Sequence, residues 1–245
     1  NSNTRELLRV APEWEIPQVM VALRAALDGT GPALTFGHTQ RSKVPAECAI
    51  VIPTSGSTGT PKDVALSADA LRASARASHE YLHARKGERW SLLLPITHIA
   101  GINVLIRAIE LGTEPTDMDV DVEFSAIVPT QLHRALHGEE KLLRHLQHAK
   151  AVLVGGAASS GNLLEQAKAA GINTVTTYGM SEMSGGCIYN NVPLNRVEVR
   201  INSDGAIELA GPMQAMGYLN AVELWSNSTN GKWFITSDSG DLRDG

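Results

Sequence analysis

Aromatic residues are scarce in this sequence, at 4% of the chain, so a core has to be built from Ala, Val, Leu and Ile. Cysteine is scarcer still. Cys48 and Cys187 are the only two and stand far apart. That excludes a disulfide framework and a cysteine metal cage, and it points to a reducing compartment, the cytoplasm. No apolar run is unbroken enough to cross a membrane, because the longest, WSLLLPITHIAGINVLI, is interrupted by Pro, Thr, His and Asn. Positive charge is not in excess. The net charge is −5 and there is no basic stripe, which argues against a nucleic-acid partner. Repeats, low-complexity tracts and a signal-peptide pattern are absent, and the first residue is not Met, so a trimmed end is expected. An oligomer is left open.

What is present suits a globular core. Hydrophobic residues make up 43% and charged residues 19% of 245, enough for one large domain or two small ones. Strand-like and helix-like segments alternate through the first part. IPQVMVALRAALDG reads as an amphipathic helix stopped by Gly29, CAIVI as a buried strand, and SADALRASARASHEYLHA as a helix with Ser67 at its N-cap. RWSLLL, FSAIVP, KAVLVGG and INTVTTYG read as strands. GINVLIRAIELG, TQLHRALHG and GNLLEQAKAAG read as the helices between them. Such alternation predicts parallel βαβ units. After about Gly186 the texture changes to short strands, RVEVRI, AIELAG and KWFITSD, joined by Asn, Asp and Gly turns. The expectation is an α/β domain over residues 1–186 and a β-rich subdomain over 187–245.

One stretch carries chemistry directly. TSGSTGTPK, from Thr54 to Lys62, follows the apolar strand and offers hydroxyls and close-approaching glycine backbone to an anion, with a lysine charge behind them. It is not the P-loop pattern, because Pro61 precedes Lys62 and DVALS after it reads as a strand. A strand–loop–strand hairpin cradling phosphate is expected.

TSGSTGTPK resembles the phosphate-binding signature of the adenylate-forming enzymes, the acyl- and aryl-CoA ligases and their relatives. These activate a carboxylate with ATP as an acyl-adenylate and pass the acyl group to a thiol. Further segments match in family order. TTYGMSE resembles the second signature. There the resemblance implies Tyr178 stacking on adenine, Ser181 at the α-phosphate and Glu182 holding Mg²⁺, with Thr177, Gly179 and Met180 around them. VLVGGAA resembles the turn whose Gly155, Gly156 and Ala157 line the acyl pocket and approach adenine. WFITSDSGDLRDG resembles the ribose-binding signature, with Asp238 the matching carboxylate and Ser237 where glycine is usual. GPMQAMGYLN matches a stretch that is mostly structural. The resemblance thus implies a nucleotide site of Thr54, Ser55, Gly56, Ser57, Thr58, Gly59 and Lys62, with ATP, Mg²⁺ and CoA as ligands and a small carboxylic acid as substrate.

Over LPITHIAGINVLIR the resemblance narrows. His98 stands where the family has a histidine between acyl pocket and thiol tunnel. Arg107, nine residues on, is similar to the basic residue of the o-succinylbenzoate–CoA ligases of menaquinone synthesis, where it pairs with the substrate's second carboxylate. Lys62, His98 and Glu182 are then the expected catalytic residues. Another aryl- or acyl-CoA ligase is the alternative, as is a non-catalytic module that binds a nucleotide or acyl-adenylate.

Two departures bear on this. Asp63 stands where the family has glycine. Either strand alternation turns its carboxylate away from the phosphates, or ATP affinity suffers and Asp63→Gly tightens it. The region before Thr54 is also shorter than in most relatives, and the resemblance covers residues 46–245, ending before the family's hinge and small C-terminal domain. On that reading the chain is a large N-terminal domain that binds its ligands and catalyses poorly alone.

Overall fold

The structure is a computed structural model that describes residues 3–55 and 60–243. Its strands in chain order are β1 (Thr4–Arg9), β2 (Ala33–Thr35), β3 (Lys43–Pro45), β4 (Cys48–Thr54) and β5 (Lys62–Ser67). They continue with β6 (Trp90–Ser91), β7 (Phe124–Ile127), β8 (Ala151–Val154), β9 (Thr174–Met180), β10 (Gly185–Tyr189) and β11 (Val192–Pro193). The last are β12 (Glu198–Ile201), β13 (Ala206–Ala210), β14 (Gly217–Tyr218), β15 (Thr229–Asn230) and β16 (Trp233–Ser239). The helices are α1 (Ile16–Leu27), α2 (Ala68–Leu82), α3 (Ile99–Leu111), α4 (Pro129–Leu136), α5 (Glu140–His148), α6 (Gly161–Ala169) and α7 (Val222–Asn227).

The chain divides into two compact units. The first comprises Asn1–Ser74, Met180–Ser184 and Arg196–Gly245, and the second Ala75–Gly179 and Gly185–Asn195. This is not the division expected after residue 186, and the pairing gives the reason. β14 pairs antiparallel with β5, which ties the C-terminal strands to the first 74 residues, whereas β10 and β11 extend the sheet of the second unit.

In the first unit one sheet has the order β14-β5-β4-β2-β1-β3. β1, β2 and β4 are parallel neighbours, while β3, β5 and β14 run antiparallel to theirs. The sheet is therefore mixed rather than a run of βαβ units. β4 is buried from Cys48 to Ile52, as its unbroken apolar run requires. β12, β13, β16 and β15 form a separate antiparallel sheet, the β-rich part foreseen from the turn-rich sequence.

The second unit holds the parallel sheet. β6, β7, β8 and β9 are successive parallel neighbours, and α4, α5 and α6 cover a core of Ile127, Leu132, Leu142, Leu146, Val154 and Ala167. The start of α2 belongs to the first unit, where Ser67 caps the helix by accepting the Ala70 N–H at 3.1 Å. α3 ends at Gly112, whose left-handed φ of 74° lets the chain leave the helix. RWSLLL gives only the two-residue β6. Leu92 N–H bonds to the Thr116 carbonyl and the Leu93 carbonyl is taken by Gln131 Nε2. Pro95 then ends any extension. Among the described residues no helix is long and apolar enough to cross a membrane.

Candidate active site

In the first unit the two strands of the expected hairpin pair as the sequence predicts. β4 and β5 pair antiparallel with Thr54 opposite Lys62 and Pro53 opposite Asp63. Gly56, Ser57, Thr58 and Gly59 lie outside the described residues. Side chains alternate along a strand, so Lys62 and Asp63 face opposite sides. Lys62 Nζ lies 5.0 Å over the Tyr218 ring. Tyr218 stands opposite Val64 in β14, which places it diagonally across from Lys62 on the same face. Asp63 is 5% exposed, and its Oδ2 accepts the Thr39 hydroxyl at 2.8 Å. The carboxylate is engaged on the strand face opposite Lys62.

Tyr218 also reaches Glu182, donating to Oε1 at 2.7 Å. Burial raises the Tyr218 pKa, and the hydrogen bond and charge of Glu182 raise it further. The phenol therefore stays a donor. Glu182 sits in a single 3-10 turn, Ser181–Met183, and is 8% exposed. The turn is fixed at three points. Ala215 N–H bonds to the Glu182 carbonyl at 2.8 Å, Ser184 N–H to Ser181 O at 3.0 Å, and Ser184 Oγ to Met213 O at 2.7 Å. No cluster of three metal-ligating side chains occurs among the described residues. A cation held by Glu182 would take its other oxygens from phosphate and water, which suits the habits of Mg²⁺.

Asp238 lies on β16 and is exposed. Its N–H bonds to Thr236 Oγ1 at 3.2 Å. Ser55, Met180 and Ser181 belong to this unit.

In the second unit the remaining residues gather at the C-terminal ends of parallel strands, where ligands of such sheets bind. Gly155, Gly156 and Ala157 follow β8, while Thr177, Tyr178 and Gly179 end this unit's share of β9. Crowding forces the glycine at positions 155 and 179. A β-carbon at Gly155 would run into Thr177 Oγ1, and one at Gly179 into the Gly185 carbonyl. Substitution at Gly179 has to push backbone apart, and at Gly155 it has to displace the Thr177 hydroxyl.

α3 carries the other two expected residues. His98 is its N-cap and is exposed, with no side-chain capping bond. Arg107 is 4% exposed and sits roughly 12 Å along the axis from Ile99. The structure does not bring these two side chains together. Arg107 packs its guanidinium over the Trp90 ring at 4.8 Å and donates from Nη2 to Tyr189 Oη at 3.3 Å. Tyr189 is itself bonded to Ser78 at 2.8 Å. The Nε of Arg107 is buried without a partner. Trp90, Tyr189 and Tyr218 were not picked out from sequence. The only signal for any of them was the Gly-Tyr of GPMQAMGYLN.

An antiparallel hairpin ending in Lys62 and a buried carboxylate turn in one unit, and a parallel sheet with glycines at its strand ends in the other, define a two-unit α/β protein. The sequence model of the AMP-binding enzyme family matches residues 8–208, and the chain belongs to that family. It is 36% identical to the probable 2-succinylbenzoate–CoA ligase of Mycobacterium tuberculosis (strain ATCC 25618 / H37Rv), over 93% of this chain and 66% of the relative. It is 29% identical to the 2-succinylbenzoate–CoA ligase of Escherichia coli (strain K12), over 94% of this chain and 55% of the relative. The chain thus spans less than two thirds of the length of these relatives. In fold it matches the o-succinylbenzoate CoA synthetase (MenE) of Bacillus subtilis solved with the acyl-adenylate intermediate OSB-AMP. The TM-score is 0.75 at 21% identity, covering 98% of this chain and 56% of that one.

Proposed function

We propose that the protein activates o-succinylbenzoate with ATP and passes the acyl group to CoA, as an acid–thiol ligase of menaquinone synthesis. The observation that carries this reading is Arg107. It is a buried cation with one N–H unpartnered, and among the described residues no carboxylate ion-pairs with it. A cation left so is costly unless an anion joins it. The second carboxylate of o-succinylbenzoate supplies that anion, and the succinylbenzoate ligases named above are among the relatives this sequence resembles.

In this reading one carboxylate oxygen of the acid attacks the α-phosphorus of ATP, and pyrophosphate leaves with the broken bond's electron pair. The CoA sulfur then attacks the acyl carbonyl and AMP leaves. Thr54, Ser55 and Lys62, with residues 56–59, hold the outer phosphates, and Ser181 contacts the α-phosphate. Glu182 would hold Mg²⁺, which offsets the charge moving onto the leaving group. Tyr178 stacks on adenine, backed by Gly156, Ala157, Thr177 and Gly179. Asp238 accepts from the ribose hydroxyls. Gly155, Met180 and His98 line the acyl path. The chain's role is positioning and electrostatic, with no covalent step through a side chain. The free, buried cysteines suit the cytoplasm.

The test is calorimetric titration with two non-hydrolysable acyl-adenylate mimics, one o-succinylbenzoyl and one benzoyl. The expected result is at least tenfold tighter binding of the first, about 1.4 kcal/mol, with the gap erased by Arg107→Met. Equal binding would transfer the assignment to another aryl- or acyl-CoA ligase.

A further inference from the structure

Asp63 directly follows Lys62, and charge alone predicts that it opposes ATP. The structure surrounds it with a closed set of bonds. Thr39 Oγ1 donates to Asp63 Oδ2 at 2.8 Å. The Asp63 N–H donates to Asn220 Oδ1 at 2.8 Å, and Asn220 Nδ2 donates to the Pro61 carbonyl at 2.8 Å. Asn220 therefore grips the backbone on both sides of Lys62. The turn carrying Asn220 is held in return. Leu219 N–H bonds to the Asp63 carbonyl at 2.9 Å, and Arg41 donates from Nη2 to the Leu219 carbonyl. Arg41 N–H bonds to Thr39 Oγ1 at 3.2 Å, which closes the ring of contacts.

We infer that Asp63, Thr39 and Asn220 form a clamp that fixes Pro61–Asp63 and thereby aims Lys62, so that Asp63 supports ATP binding instead of weakening it. Asp63 and Asn220 are positioning residues, acting through Lys62 and not on the nucleotide. Three features favour this over simple repulsion. The carboxylate is 5% exposed, it lies on the strand face opposite Lys62, and its Oδ2 already has a donor. Without Asp63 the Thr39 hydroxyl loses its acceptor, and the 39–41 segment loses its side-chain bond to β5. Asn220 is the more exposed partner and contributes both backbone bonds. The inference rests on the reading of Lys62 as a ligand of the outer phosphates of ATP.

Repulsion and clamping give opposite signs for one isosteric change. Asp63→Asn removes the charge and keeps an oxygen for Thr39. The chain and its Asp63→Asn, Asp63→Ala and Asn220→Ala variants are titrated with Mg·ATP and with AMP, and their melting is followed. The clamp predicts that Asp63→Asn keeps its ATP affinity within about twofold. Asp63→Ala and Asn220→Ala lose about tenfold for ATP, the size of one or two hydrogen bonds. AMP, which lacks the outer phosphates, stays within about twofold in all of them. Tighter ATP binding by Asp63→Asn overturns the clamp in favour of repulsion. Unchanged ATP binding by Asp63→Ala also overturns it. Equal losses for ATP and AMP would reduce the network to a contribution to folding. An unaltered chain that binds AMP but not ATP would overturn the Lys62 reading itself, and the clamp with it.

Discussion

The Tyr218 hydroxyl donates to Glu182 Oε1 across 2.7 Å, and both groups are buried. This bond orders one oxygen of the carboxylate proposed to hold Mg²⁺, while the Tyr218 ring lies beneath Lys62 Nζ. One aromatic residue therefore touches both charged groups proposed to serve the nucleotide in this unit.

Tyr218→Phe tests whether that bond serves the cation. The ring and its contact with Lys62 are retained, and only the hydroxyl is lost. The magnesium concentration giving half-maximal ATP binding should rise about tenfold, as for loss of one charged hydrogen bond. Saturating Mg²⁺ should restore most of the affinity. A loss of ATP affinity that excess Mg²⁺ leaves untouched would make Tyr218 a packing residue only.

Tyr189→Phe examines the other charged group. Arg107 would keep Trp90 beneath it but lose its Tyr189 acceptor, and Ser78 would lose its bonded partner. The o-succinylbenzoyl mimic should bind about three- to tenfold more weakly, while the benzoyl mimic is unaffected. Equal weakening of both would show that Tyr189 shapes the unit rather than orienting Arg107.

The parallel sheet was legible because its strands are short apolar runs and its helices show a 3.6-residue period, both local patterns. α5 escaped notice because its buried stripe is Leu142, His145 and Leu146. A histidine stands there where an apolar residue would have marked the face. β1, β2 and β3 are defined by pairing with distant segments, and no short window contains that information. The phosphate-loop hairpin was read from its composition, yet the partners of Asp63 and Glu182 lie far off in sequence at Asn220 and Tyr218. Sequence pointed to the residues proposed for the chemistry and left open which ones hold them in place.

The two thiols should be silent in the folded chain. Burial pushes Cys48 up to about 11 and Cys187 up to about 12, so almost no thiolate exists at neutral pH. A thiol reagent at pH 7.5 should modify neither until denaturant is added, and both afterwards. Rapid labelling of the native protein would contradict the buried positions.

His79 sets an acid limit on the second unit. Its Nε2 accepts the Trp90 indole N–H at 3.1 Å. Burial lowers its pKa to about 3, with Arg107 and Lys86 adding to the shift and Glu88 opposing it. Unfolded, the imidazole titrates near 6.5. Between these values the unfolded chain binds a proton that the folded chain refuses. The His79 contribution is fully present above about pH 6.5 and is lost as pH falls toward 3, at up to about 1.4 kcal/mol per pH unit. His145 is shifted in the same direction by burial, so the two act together. Urea unfolding from pH 7.5 to 4.5 should show this decline. His79→Gln, which offers Trp90 an amide oxygen and cannot titrate, should flatten the part of the slope due to His79 at some cost in stability at neutral pH. An unchanged slope in that variant would mean that the acid sensitivity comes from other groups and that His79 takes up its proton without unfolding.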